Sequence, residues 1–260
     1  MHTPRSETKR AIPHPNNELD WLAQIPEEGQ TFERIRPIVN ANGNEILLLP
    51  VVRESDAERN DSDDAASGGK WPSHGPSLDL LAKYTKAFFD REVFVLSPAV
   101  VSLKKAMVIK SATRKSKEPG AICLKFSSYS YYDDDSKDKP EGTMDPIDIG
   151  DMNHTTGSEY LRRSGKLLVH ELGHLYGIDH CIFNRCLMNG TAHLVEDFAA
   201  PSHLCGVCLR KLQWRLGFDV KGRYASLATA FSDMGMEKEQ KWAQKQYDAL
   251  AKVVGDNQAK

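Results

Sequence analysis

The stretch HELGHLYGIDH places three histidines and one glutamate where they could share a metal ion. His170 and His174 are four residues apart, so on a helix their imidazoles lie on one face and can meet the same ion. Gly177 follows, and a glycine can adopt the positive φ that ends a helix and turns the chain. We therefore expect His180 to approach the same ion as a third ligand.

The chemistry of such a site depends on Glu171, which lies next to His170 and is rotated off the face of the ligands. Three neutral imidazoles leave one position of a tetrahedral zinc ion open to water, and zinc lowers the pKa of that water toward ~7. Glu171 is then the expected general base for attack on a carbonyl group. Zinc is inferred from this geometry and from cellular availability, because the Irving–Williams order favours copper over zinc.

Four of the five cysteines form two closely spaced pairs, Cys181 with Cys186 and Cys205 with Cys208. Two such pairs separated by a longer loop are typical of a tetrahedral zinc site with four thiolate ligands. That site has no open position, so its expected role is structural. Two disulfides or a redox CxxC are the alternatives, and a reducing compartment disfavours the disulfides. The pattern predicts two zinc ions per chain, one catalytic and one structural.

Charge and hydropathy argue against two classes of partner. Lys and Arg total 34 against 36 for Asp and Glu, so the formal net charge of −2 gives no electrostatic reason to expect nucleic acid or an anionic membrane. No run approaches the ~18 apolar residues of a transmembrane helix. The N-terminus lacks the apolar region of a signal peptide, so we expect a cytoplasmic location, and a nuclear one is compatible.

The elements that must position these ligands are a mixture of strands and helices. Short apolar runs predict three strands, at residues 45–52, 93–96 and 121–126. Helical spacing of apolar residues predicts four helices, from Ser77 as N-cap to about Asp90, from Ser158 to Tyr176, from near Cys205 onward, and from about Met236 to Val254. Because the two types do not alternate regularly, we expect an α+β fold class.

Composition also predicts how the chain is divided. Residues 1–40 are expected to form a flexible N-terminal region. The metal ligands fall in a domain that we place at residues 41–220, with a Ser-, Asp- and Gly-rich disordered insert at residues 53–76. Residues 221–260 are expected to form a C-terminal helical extension.

The histidine motif followed by Met188 resembles the metzincin clan of zinc peptidases, and the four cysteines resemble the archaemetzincins within it. The resemblance implies catalytic zinc ligands at His170, His174 and His180, and a general base at Glu171. It implies that Met188 lies beneath this zinc ion and that the cysteines hold a second one. It also implies a metzincin-like mixed β-sheet with a zinc-binding active-site helix and C-terminal helices.

Peptide or protein substrates follow from the same resemblance, which is densest from Val169 to about Leu216. Metzincins carry strands upstream of the zinc helix, and an edge strand lines the substrate cleft. Here Ser102–Pro119 is lysine-rich and poorly strand-like, and residues 121–130 are the candidate for the edge strand. The alternative hypothesis is therefore a non-catalytic, zinc-stabilised interaction module that keeps the metal sites but lacks a complete substrate cleft.

Overall fold

The computed structural model of the chain describes residues 18–25, 27–35, 45–53, 71, 75–101, 154–192 and 194–258. The chain divides into two compact units. Unit 1 consists of Met1–Ala41 and His170–Asp219, and unit 2 consists of Asn42–Val169 and Val220–Lys260. All the predicted metal ligands belong to unit 1. The predicted domain limits at residues 40 and 220 stay predictions.

Helices account for most of the described residues. They are α1 (Trp21–Gln24), α2 (Leu78–Phe89), α3 (His154–Leu175), α4 (Leu194–Ala199), α5 (Gly206–Leu216), α6 (Val220–Asp233) and α7 (Glu237–Gln258), with a 3-10 turn at Phe32–Arg34. The strands are β1 (Ile46–Leu48), β2 (Val51–Arg53), β3 (Val93–Val95) and β4 (Ala99–Val101). Long helices with a few short strands are compatible with the expected α+β class. None of the helices in the described ranges is long and apolar enough to span a bilayer.

The strands of unit 2 pair in parallel, β1 with β3 and β2 with β4. The prediction of a single strand at residues 45–52 is wrong in one respect, because the chain forms two strands there, β1 and β2, on either side of Pro50. Proline has no N–H to donate to a ladder, although its carbonyl oxygen accepts from the Ala99 N–H at 2.9 Å. The strand predicted at 93–96 is confirmed as β3, whereas the one at 121–126 lies outside the described residues.

The core of unit 2 is aromatic. Ser77 is the predicted N-cap of α2, and its Oγ accepts from the Leu80 N–H at 3.4 Å. From this helix Tyr84 packs against Phe88, with ring centroids 5.8 Å apart, and against Phe231 of α6 at 5.4 Å. All three rings are buried, so they hold α2 and α6 together through apolar area and ring contacts.

All four predicted helices are seen, two of them with shifted ends, and one further long helix was missed. Helix α3 begins four residues before the predicted Ser158, and α7 continues past Val254 to Gln258. Helix α6 was not predicted because its buried face includes alanines and Arg223 beside the larger apolar residues. A face of that composition has a weak apolar period.

Unit 1 has shorter elements joined by loops, and buried polar side chains connect them. The Gln30 Nε2 donates to the Gly177 carbonyl oxygen at 2.8 Å. The Lys211 Nζ, on α5, donates to the Gln30 carbonyl oxygen at 2.6 Å. Gln30 and Lys211 are both buried, so these bonds are made away from water, where an unpaired group would be costly.

Candidate metal centres

Helix α3 carries the first two histidines. One helical turn separates His170 and His174, and their ring centroids are 4.7 Å apart. Their Nε2 atoms approach to 3.0 Å, close to the separation of about 3.4 Å expected for two nitrogens on a tetrahedral zinc ion with bonds of about 2.0–2.1 Å. Glu171 is half-buried on the same helix. The predicted helical placement of these three residues is confirmed.

The end of α3 turns the chain back toward these rings. Gly177 has φ +77°, and its N–H donates to the His174 carbonyl oxygen at 2.9 Å. The Ile178 N–H donates to the Gly173 carbonyl oxygen at 3.0 Å, which completes a Schellman motif. The turn predicted at Gly177 is confirmed. It brings the His180 ring centroid to within 5.3 Å of the other two rings.

Backbone carbonyl groups orient the two helical imidazoles. The His170 Nδ1 is 2.9 Å from the Leu187 carbonyl oxygen, and the His174 Nδ1 is 2.8 Å from that of Ile178. Because a carbonyl oxygen only accepts, each Nδ1 carries the proton and each Nε2 keeps a lone pair. Burial lowers the pKa of His170 to about 4, and it also lowers that of His174. Both rings are therefore neutral at neutral pH, which is the form that binds a metal.

The third imidazole has a different partner. The His180 Nδ1 is 2.6 Å from Oε1 of Glu27, which precedes it by 153 residues. The ring also meets Trp21 edge-on, with centroids 5.1 Å apart. Neither contact was predicted, since nothing in the local sequence around Glu27 indicates a distant partner. We call His170, His174 and His180 the histidine cluster; their ligand atoms all lie within 4.8 Å of one another.

The four predicted cysteine ligands also come together, and their Sγ atoms lie within 4.8 Å of one another. We call Cys181, Cys186, Cys205 and Cys208 the cysteine cluster. All four are free thiols. The Sγ atoms of Cys181 and Cys205 are 3.7 Å apart, close to the separation of about 3.8 Å set by zinc–sulfur bonds of about 2.3 Å in a tetrahedron. This donor set fits a closed zinc site.

Backbone N–H groups point at the sulfurs of this cluster. The Cys205 N–H donates to the Cys186 Sγ at 3.2 Å. The Cys205 Sγ is itself the N-cap of α5 and accepts from the Cys208 N–H at 3.5 Å. Hydrogen bonds with the Cys181 thiol and the other two lower the pKa of Cys205. These contacts favour the thiolate, the form that binds zinc, at Cys205, whereas hydrogen bonds with the other thiols raise the pKa of Cys186 and Cys208.

Asn189 holds the loop between the first two cysteines, a role that was not predicted. Its Oδ1 accepts from the Cys186 N–H at 2.7 Å. Its Nδ2 donates to the carbonyl oxygens of Cys181 and of Asn184, the latter at 2.9 Å. One side chain thus closes the short loop and sets the spacing of two candidate ligands.

Met188 connects the two clusters. Its side chain is buried and lies against α3 so closely that a Cβ on Gly173 would be 2.8 Å from its Sδ. Its carbonyl oxygen accepts from the Cys181 N–H at 2.7 Å. The methionine therefore packs beside the helical turn that carries His174 and is bonded to the first cysteine. The glycine of HELGH is explained by this close approach.

Both clusters use the donor types that zinc prefers, so the chain is of the zinc-binding class. Residues 148–214 match the family model described as peptidase family M54. Over part of its length the chain is similar to the archaemetzincins, as its sequence resemblance implied.

Three relatives illustrate the extent of the match. Archaemetzincin-2 of Macaca fascicularis is 46% identical over 76 residues, which are 29% of this chain and 21% of that protein. Archaemetzincin-2 of Homo sapiens is 45% identical over the same shares of both chains. Archaemetzincin-1 of Homo sapiens is 48% identical over 64 residues, 25% of this chain and 13% of that protein. The chain thus spans about a fifth of the length of the first of these relatives. No solved structure matches.

Proposed function

We propose that this protein is a zinc-dependent metallopeptidase that hydrolyses peptide bonds in peptide or protein substrates. The observation that carries the proposal is the histidine cluster with Glu171 beside it, on a segment that matches a peptidase family. His170 and His174 each bond a carbonyl group through Nδ1, so their Nε2 atoms are available to an ion. A metzincin-like fold for residues 41–220 is part of this proposal, and the family model that supports it matches residues 148–214.

The chemistry needs an electrophile and a base. A zinc ion held by His170, His174 and His180 would supply Lewis-acid chemistry toward water and a peptide carbonyl group. Glu171 is proposed to accept a proton from the attacking water and to return it to the amine of the leaving peptide. Its place one residue after His170 keeps the carboxylate on the same helical turn as a ligand but off the ligand face.

The cysteine cluster is proposed to hold the second, structural zinc ion. Four sulfur ligands leave no open position, so this ion would stabilise the fold without taking part in hydrolysis. Because Cys181 directly follows His180 and is bonded to the Met188 carbonyl oxygen, the closed site would hold the third histidine ligand in place.

The test is cleavage of an unbiased peptide library by zinc-loaded protein, read by mass spectrometry beside Glu171→Ala. Glu28→Ala is the matched control, because Glu28 is an exposed glutamate of the same unit. All three proteins are first shown to hold equal zinc. We expect products from the wild type and Glu28→Ala, and a loss of about 100-fold or more in rate for Glu171→Ala. Equal cleavage by Glu171→Ala would assign the activity elsewhere.

A second candidate function is a non-catalytic, zinc-stabilised interaction module. It is favoured by the extent of the matches: the family model covers both ligand clusters at residues 148–214, and the alignment with archaemetzincin-2 of Macaca fascicularis covers 29% of the chain. This hypothesis predicts that zinc-loaded wild type cleaves no member of the library and that Glu171→Gln changes no binding property.

A further inference from the structure

We propose that Glu27 is a positioning residue that prepares His180 to bind zinc. Its carboxylate accepts the Nδ1–H of His180 at 2.6 Å, which fixes the tautomer and leaves Nε2 as the ligand atom. The inference rests on the zinc site proposed at the histidine cluster, and it does not depend on peptide hydrolysis.

His180 needs such a partner because it does not lie on a helix. His170 and His174 are held by α3, and their Nδ1 atoms bond carbonyl groups of Leu187 and Ile178 from the same stretch of chain. His180 follows the Gly177 turn in a loop. Its orientation must therefore come from side chains brought to it by folding.

The segment that carries Glu27 is anchored on the same turn. Three residues further on, the Gln30 Nε2 donates to the Gly177 carbonyl oxygen at 2.8 Å, and the Gln30 Oε1 accepts from the Asp179 N–H at 3.4 Å. The buried Lys211 Nζ donates to the Gln30 carbonyl oxygen at 2.6 Å. These bonds fix the backbone near Glu27 relative to the loop that carries His180. The Glu27 carboxylate is therefore in position before an ion binds.

The other side of the His180 ring is also fixed. The Trp21 ring contacts it edge-on at 5.1 Å. The backbone N–H of Trp21 donates to the two oxygens of the Glu196 carboxylate at 3.1 Å and 3.2 Å. Since the His180 and Glu27 side chains are only 21% and 19% exposed, their hydrogen bond is shielded from water and correspondingly strong.

An independent observation comes from the second carboxylate oxygen. Oε2 of Glu27 is buried and has no hydrogen-bond partner within the described part of the chain. Burying a carboxylate oxygen without a partner is costly. A dication bound by His180 through Nε2 would offset that cost, because its positive charge would act on the carboxylate that bonds Nδ1 of the same ring.

Glu27 acts through the imidazole and is not itself a member of the ligand group, which among the described residues consists of the three histidines. It also lies outside residues 148–214, the segment that matches the family model. The support for the third ligand therefore comes from a part of this chain that the family comparison does not reach.

The experiment measures zinc affinity by competition with a chelator in four full-length proteins: wild type, Glu27→Gln, Glu27→Asp and Glu28→Gln. Glu27→Gln keeps the size of the side chain and removes its charge, whereas Glu27→Asp keeps the carboxylate. Glu28→Gln is the matched control, since Glu28 is exposed beside it. We expect an affinity loss of about 10–100-fold at the histidine cluster in Glu27→Gln, a smaller loss in Glu27→Asp, and none in Glu28→Gln.

Two readouts separate positioning from a general loss of structure. Cobalt bound at the cysteine cluster gives thiolate absorption bands, which are expected to be unchanged in all variants. Nitrogen-15 NMR of the zinc-free protein is expected to show the His180 proton on Nδ1 in the wild type and a tautomer mixture in Glu27→Gln.

The outcomes are distinct for the two proposals. Equal zinc affinity and the same His180 tautomer in wild type and Glu27→Gln would overturn the role of Glu27 while leaving the zinc site intact. If Glu27→Gln also lost the thiolate bands, a smaller affinity loss in Glu27→Asp with an unchanged tautomer supports the positioning role, and an equal loss in Glu27→Asp overturns it. A wild type that binds zinc at the cysteine cluster alone would overturn the proposed histidine site and, with it, this inference.

Discussion

The two units of this chain are stabilised in different ways. Unit 2 is held by apolar packing, with Tyr84, Phe88 and Phe231 buried in one aromatic cluster. Unit 1 has shorter elements, and its buried groups include the candidate ligands Cys181, Cys186 and Cys208 and the charged Lys211. On the proposed structural zinc site, we expect this core to depend on metal binding for its stability, because four thiols packed together gain little unless an ion binds them.

The same difference is visible in how helices begin. Helix α2 is capped by Ser77, whose Oγ accepts from the Leu80 N–H at 3.4 Å. Helix α5 is capped by Cys205, whose Sγ accepts from the Cys208 N–H at 3.5 Å. In unit 2 the cap only starts a helix, whereas in unit 1 the cap is also a candidate ligand. We therefore expect local structure and metal binding to be coupled in unit 1 and separate in unit 2.

The largest effect is expected for Cys205→Ser, because this substitution separates the two roles of the residue. Serine keeps an oxygen that can cap α5 but removes the candidate zinc ligand. Apparent zinc-binding free energies in zinc-finger peptides are about 10–16 kcal/mol, so losing one of four ligands is expected to cost several-fold more than a cap, which contributes about 1 kcal/mol. We expect the zinc content to fall by one ion per chain and the α5 amides to lose protection from hydrogen exchange.

The reverse exchange at the other cap, Ser77→Cys, is the control for this experiment. It places sulfur at the start of α2 and is expected to leave zinc content unchanged. Retention of two zinc ions and full α5 protection in Cys205→Ser would contradict the proposed structural site.

An intermediate effect is expected in the apolar core. Phe231→Ala removes a fully buried ring, and such truncations cost about 3–5 kcal/mol. The loss of free energy of unfolding is measured by denaturant unfolding, monitored through hydrogen exchange of the α2 and α6 amides. The zinc content is expected to stay constant. Thr229→Ala, at an exposed position of the same helix, is the control with an expected change within about 0.5 kcal/mol. Loss of zinc in Phe231→Ala would contradict the proposal that unit 2 is stabilised independently of metal binding.

The smallest effect compares two glycines with nearly equal backbone angles, Gly177 at φ +77° and Gly217 at φ +74°. An alanine at either position takes up a left-handed conformation that costs about 1–2 kcal/mol. Both variants are therefore expected to lower the free energy of unfolding similarly. Only Gly177→Ala is expected to weaken zinc binding as well, because its turn places His180. Equal zinc affinity in the two variants would show that the conformation of the Gly177 turn does not determine zinc binding by His180.

Much of the local structure was predictable because it depends on neighbours in sequence. The cap at Ser77, the helix through His170 and His174, and the turn at Gly177 each follow from residue types within a few positions. The break at Pro50 was not anticipated, although its cause is also local. Helix α6 was missed because small residues and Arg223 on its buried face weaken the apolar period.

The sequence by itself determined which side chains can hold metal, since imidazoles one helical turn apart and paired cysteines have few other uses in that pattern. The tertiary structure alone decided what orients them. Glu27 reaches His180 across 153 residues, and Met188 fits against Gly173 of α3. Ligand type and spacing are properties of a short segment, whereas a hydrogen-bond partner for a loop imidazole depends on which distant segment folds beside it, and no local pattern encodes that.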